Sequence, residues 1–183
     1  MAVEYCKLKK NKRLIEKIPE LEEIQCLLFD LGSHIATPRT EGSSSSMHLA
    51  RTEFSETHVE KIELAIDEMD KYLAPLKNFI LPGGGLESSQ FHICRAVCRR
   101  TERDMSPLLR ESAIDETAPK FINRLSDYFF AVSRYCSLVT NHPESVYKLP
   151  KDRDSNNKYQ RSGLSVMKEY DDDDQHQISI SAA

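Results

Sequence analysis

From Thr117 onward, Ile122, Leu125, Phe129, Val132, Cys136 and Val139 recur at steps of three and four. This is an a/d seam, which buries itself only against other helices packed nearly antiparallel. The seam restricts the chain to helix-on-helix architectures, because no segment alternates at period two for long enough to make a strand. A second stripe, Leu21, Ile24, Leu28, Leu31 and Ile35, follows Pro19 in a first helical turn and ends at Thr37-Pro38. A third comprises Val59, Ile62, Ile66, Met69 and Leu73, with Thr57 and Glu60 at capping-box spacing before it and Pro75 closing it. A further helix is predicted from about Ser88 to Leu109, kinked at Pro107, with Phe91, Cys94, Val97 or Cys98, Met105 and Leu108 inward. The expected fold is an all-α bundle of four to five helices.

At 183 residues, 39% of them hydrophobic, the chain can fill one core. A net charge of -4 gives no general drive toward nucleic acid or acidic membranes, so any anion site must be local. No apolar run approaches the ~20 residues that span a bilayer. Five cysteines without a CxxC pair read as reduced thiols of an intracellular compartment. Cys94 and Cys98 stand at i, i+4, where two zinc ligands could sit; with no second ligand pair, small core residues are expected and no metal site is assigned. The N-terminus is basic at Lys7, Lys9, Lys10, Lys12 and Arg13. It also carries Glu4, Glu16, Glu20, Glu22 and Glu23, has no serine before Ser33, and reads as neither a transit peptide nor a secretory signal. Residues 39–54 read as a loop with Ser43 to Ser46 as a flexible insert. Residues 150–183, with the acidic run Asp171 to Asp174, read as a mostly disordered tail.

The chemistry concentrates where Phe79-Ile80-Leu81-Pro82-Gly83-Gly84-Gly85 feeds a helix rich in arginine. A glycine-rich turn exposes backbone N–H groups and a helix start carries partial positive charge, so both favour an anion. Arg95, Arg99 and Glu102 fall at i, i+4 and i+7, on one face. Two guanidiniums there make a fork for carboxylate or phosphate oxygens; the same residues also read as a solvated charged face. Asn123 and Asp127 share a face beside the seam. They read as groups that meet a ribose or base, or as an interhelical hydrogen-bonding pair, or with Asp127 pairing with Arg124 or an arginine of the neighbouring helix. Phe79 reads as a hydrophobic anchor of the turn.

The block from Phe79 to Gly84, then His92 and the run Cys94-Arg95-Ala96-Val97-Cys98-Arg99-Arg100-Thr101-Glu102-Arg103, resembles the PduO-type ATP:cob(I)alamin adenosyltransferases, particularly the animal mitochondrial enzymes. Lys120-Phe121-Ile122-Asn123-Arg124-Leu125-Ser126-Asp127-Tyr128-Phe129-Phe130 resembles the family's next helix. A weaker likeness runs from Ile24 to Ser33, with Ala36-Thr37-Pro38 after it. The resemblance covers roughly residues 18–148 and implies a ferritin-like bundle. It implies transfer of the 5′-deoxyadenosyl group of ATP to cob(I)alamin, giving adenosylcobalamin and triphosphate, with Mg²⁺ accompanying the ATP.

By the same resemblance Phe79 lies against the corrin, and Phe79, Arg95 and Arg99 carry the catalytic work. Arg99, Arg100, Thr101, Glu102, Arg103 and Asn123 form the ATP site, with Asp127 in support. A homotrimer, a mitochondrial location and delivery of product to methylmalonyl-CoA mutase are implied too, with no nucleic acid or membrane partner. The family's opening Thr-x-x-Gly-Asp-x-Gly-x-Thr loop, its lysine contact and the Asp-Glu-Leu of its first helix are not found. Residues 1–17 are therefore expected to be an unrelated lead-in and 18–149 the bundle, with the family's first helix missing and Arg95 lacking that helix's aspartate. The alternative is a non-catalytic truncated homologue acting as a cobalamin-binding or helical-bundle interaction protein.

Overall fold

The computed structural model describes residues 2–8, 11–37 and 52–148. The Ser43 to Ser46 insert and the tail 150–183 with Asp171 to Asp174 lie outside the described residues. In chain order the helices are α1 (Ala2–Leu8), α2 (Lys12–Ile15), α3 (Ile18–Ile35), α4 (Thr57–Asp70), α5 (Gly85–Arg110) and α6 (Thr117–Val139). The described residues contain no strand, only an isolated antiparallel bridge between Ile80 and Val146.

The longest apolar stripe makes the most buried helix. Along α6 the seam residues Ile122, Leu125, Phe129, Val132 and Cys136 are buried, and so are Ala118, Phe121, Ser126, Tyr128, Ala131, Ser133 and Ser137. The helix is covered around most of its circumference because α5 packs along one side and α4 along another. Small residues on those flanks let the neighbours approach closely. Each large apolar side chain buried this way contributes about 1.5–3 kcal/mol.

Two stripes shift phase. On α3 the buried set is Leu21, Ile24, Leu27, Leu31 and His34; Leu28 faces solvent and Ile35 only flanks the core. His34 is tolerated inside because both ring nitrogens are engaged. Its Nε2 accepts from the Asp115 N–H at 3.1 Å, which leaves Nδ1–H to donate to the Thr52 carbonyl at 2.7 Å. On α5 it is Cys98, not Val97, that turns inward, with Phe91 and Met105. That helix begins at Gly85, earlier than the sequence pattern indicates, and continues through Pro107 to Arg110. On α4 the expected Thr57–Glu60 capping box does not form. Thr57 is already helical, and its N–H donates to the Ser55 hydroxyl at 3.3 Å. The helix stops at Asp70, five residues before Pro75, while Leu73 still packs on the core from the following turn.

The described residues before α3 contribute to the core rather than only leading into it. Val3, Cys6 and Leu14 are buried in the same cluster as the α6 seam. Asn11 caps α2 by accepting from the Arg13 N–H at 3.0 Å, and its Nδ2 donates to the Val139 carbonyl at 2.9 Å, joining this segment to the end of α6. Helices of seven and four residues are too short to display a period.

Candidate active site

Two side-chain contacts fix how α5 and α6 face each other. The Arg95 guanidinium stands over the Phe130 ring, 5.2 Å from its centroid. Seven residues along α5, Glu102 Oε1 accepts from Asn123 Nδ2 at 2.8 Å, seven residues back along α6. The helices are therefore antiparallel. Arg95, Arg99 and Glu102 at i, i+4 and i+7 lie opposite Phe130, Asp127 and Asn123 at the same spacing.

Asn123 Oδ1 accepts from Arg124 at 3.1 Å, and Arg124 pairs with Asp127 at 3.2 Å. Asn123 thus makes an interhelical hydrogen bond, and Asp127 pairs with Arg124 of its own helix. An amide has two donors and two acceptor lone pairs, so Asn123 keeps one of each for a ligand. Arg99 stands between the two interhelical contacts, exposed and without an ion-pair partner among the described residues; only its backbone carbonyl is engaged, by Arg103 at 3.1 Å. Arg100 lies about 100° further round the helix and points to solvent. The Thr101 hydroxyl donates back to the Val97 carbonyl at 3.1 Å. Thus Arg95, Arg99, Glu102, Asn123 and Asp127 are brought onto one face with Arg103 at its edge, while Arg100 and Thr101 are not on it.

Phe130 and His92 border the same face, and Arg124, expected only as a partner for Asp127, contacts both Asn123 and Asp127. Phe130 completes the Asn123, Asp127 series at i+7, a signal hidden because it follows the seam residue Phe129 directly. His92 lies 6.2 Å from the Phe130 ring. Burial, then the positive charge of Arg95, holds its imidazole below the ordinary histidine value. Arg95 Nε is buried without a hydrogen-bond partner among the described residues, so the cation rests on the aromatic ring. Beyond Phe130 and Asp127 opens a groove of about 410 Å³, lined by Ile66, Asp70, Leu73, Ala74, Pro75, Leu76, Ala131 and Arg134 as well. The groove and the arginine face meet across Phe130 and Asp127.

Phe79 sits on the loop that leads into α5, with its side chain 85% exposed. It does not anchor the turn by packing. The turn is fixed instead by Gly84 and Gly85 at φ 79° and 90°; a Cβ on Gly84 would fall 1.7 Å from the Ser137 hydroxyl. Cys94 and Cys98 lie along the core side, where burial raises both thiols, that of Cys98 to about 12. No group of three or more His, Cys, Asp or Glu among the described residues is arranged to hold a metal ion.

The family described as cobalamin adenosyltransferase matches residues 1–136. The corrinoid adenosyltransferase of Mus musculus is 49% identical over 129 residues, covering 70% of this chain and 54% of that protein. The Homo sapiens counterpart is 44% identical over 128 residues, covering 70% and 50%. The chain thus spans about half the length of the curated relatives it matches. Among solved structures, a variant PduO-type ATP:corrinoid adenosyltransferase from Lactobacillus reuteri complexed with cobalamin and ATP superposes with a TM-score of 0.69. It is 37% identical, covering 81% of this chain and 79% of that one.

Proposed function

Because the chain belongs to the cobalamin adenosyltransferase family, we propose that it transfers the 5′-deoxyadenosyl group of ATP to cob(I)alamin, forming adenosylcobalamin and triphosphate. The observation that carries this reading is Arg99, an exposed cation without an ion-pair partner among the described residues, on the α5–α6 face between two interhelical contacts. In the reaction the cobalt(I) electron pair forms the new bond to the 5′ carbon, and the carbon–oxygen bond to the triphosphate breaks. Negative charge gathers on the leaving triphosphate, and the Arg99 guanidinium is the group placed to take it. Arg103, at the edge of the same face, adds to that field. Asn123, fixed by Glu102 and Arg124, offers its remaining donor and acceptor to the ribose. Asp127 holds Arg124 and lines the groove, and Arg95 with Phe130 closes the wall between groove and arginine face.

Phe79 is assigned to the corrin, where an exposed ring displaces the lower axial ligand and so eases reduction from cob(II)alamin. Support comes from the Lactobacillus reuteri structures, which include variants of a phenylalanine, solved with cobalamin and ATP, and of an arginine, solved with ATP. Those two residues are twenty positions apart, as Phe79 and Arg99 are. Magnesium takes its ligands largely from the phosphates and water. The described residues offer it no preformed cluster, and no step is assigned to a protein-held metal. A homotrimer, a mitochondrial location and delivery to methylmalonyl-CoA mutase complete the proposal, on the resemblance to the animal enzymes. The trimer is also supported by Leu86, Ile93 and Val97, exposed together on the outer side of α5.

The test is anaerobic incubation of the purified chain with pre-reduced cobalamin and Mg-ATP, followed by the visible spectrum. Adenosylcobalamin should form catalytically, and Arg99→Ala should lower kcat/KM for ATP by about a hundredfold or more. A folded chain that binds cobalamin and forms none would overturn the reading.

A further inference from the structure

An exposed ring that must meet a substrate cannot be held by its own packing. Phe79 is 85% exposed, so its place is set by the backbone that carries it. That backbone is one arm of a clasp. The Leu81 N–H donates to the Ser145 carbonyl and the Tyr147 N–H to the Phe79 carbonyl, both at 2.7 Å, around the antiparallel pair Ile80 and Val146. Two hydrogen bonds between two short arms are not stable in water by themselves.

Arg134 of α6 is what both arms have in common. Its Nε donates to Glu144 Oε1 at 2.9 Å, next to the arm that carries Ser145 and Tyr147. Its Nη2 donates to the Ala74 carbonyl at 2.8 Å, on the approach to Phe79. The side chains of Arg134 and Glu144 are only 10% and 27% exposed, so the pair is largely shielded from water and from salt. A planar guanidinium can hold two acceptors at once in fixed directions; an ammonium cannot. The two arms join α4 to α5 and leave the end of α6, so no single helix dictates their separation.

We propose that Arg134 is a positioning residue: it locks the arms around 74–81 and 144–147 to α6 and thereby presents Phe79 at a fixed place. The inference rests on the assignment of Phe79 to the corrin made above. Arg134 acts through Phe79, and its loss frees the arms without opening the bundle.

Hydrogen exchange on the full chain, without substrates, reads the clasp directly. In Arg134→Met the amides of Leu81 and Tyr147 should exchange at least about tenfold faster, while those of Leu125 and Phe129 in α6 keep their protection. Glu144→Ala should reproduce the effect, and Glu144→Gln, which retains a neutral acceptor, should show less of it. Unchanged exchange at Leu81 and Tyr147, or an equal loss of protection in α6, overturns the proposal. Turnover then links the clasp to chemistry. Arg134→Met should slow conversion from cob(II)alamin under reductant at least about tenfold, with pre-reduced cob(I)alamin and the KM for ATP little changed. Equal losses from both corrinoid forms break the link to Phe79. If the unsubstituted chain converts neither form, the adenosyl-transfer reading fails and takes the positioning role with it, while the exchange result still decides the clasp.

Discussion

Asn123 donates to Glu102 across the α5–α6 face while its Oδ1 accepts from Arg124. Replacing the amide by a carboxylate would set two acids at hydrogen-bond distance beside the proposed ATP site. Asn123→Asp should therefore raise the KM for ATP about tenfold or more with the fold retained; an unchanged KM would remove Asn123 from the nucleotide site. His92 gives a pH test. Its folded value is depressed, by burial first and Arg95 second, whereas the unfolded imidazole titrates near the ordinary ~6.5. Between those two values the unfolded chain binds the proton more readily. The contribution of His92 to stability is present above the unfolded value and is lost as pH falls through the folded one. The urea midpoint should fall more between pH 7 and pH 5 in the native chain than in His92→Gln, and parallel profiles would show that another group is responsible.

Among the elements, α6 depends on burial and α5 on its start. Leu125 is fully buried at the centre of the seam, so Leu125→Ala should cost about 2–5 kcal/mol in urea unfolding. A loss near zero would mean that the site collapses around the deletion. At the head of α5, Gly84 has no room for a methyl group and holds φ at 79°. Gly84→Ala should destabilise by more than ~2 kcal/mol. Adding Ser137→Ala should recover only part of this. It removes the hydroxyl 1.7 Å away, but the Ser137 Cβ at 2.9 Å and the positive φ remain.

For the whole molecule, the exposed apolar residues are the surface that the proposed trimer would cover. Leu86, Ile93 and Val97 lie on the side of α5 that turns away from the core, and Phe29 and Leu64 are also exposed. Sedimentation should give three times the 21.0 kDa chain mass, and Val97→Asp should shift the protein to smaller species; a monomer at micromolar concentration would refute the trimer. The helical class, the α6 seam and the one-face sets of Arg95, Arg99 and Glu102 and of Asn123 and Asp127 are legible in the residues alone. Each of these follows from residues three, four or seven apart, and helix geometry converts that spacing into a shared face. Tertiary structure alone decided the rest. On α3, Leu27 and Leu28 are both apolar, and only the position of the neighbouring helices selects Leu27 and admits His34 to the core. The short first helix joins the core through Val3 and Cys6, a pair too small to announce itself. The clasp that carries Phe79 joins residues 74–81 to residues 134–147 through hydrogen bonds whose partners are far apart in the chain. Local spacing carries no trace of such partners, because they meet only after the bundle has brought the ends of its helices together.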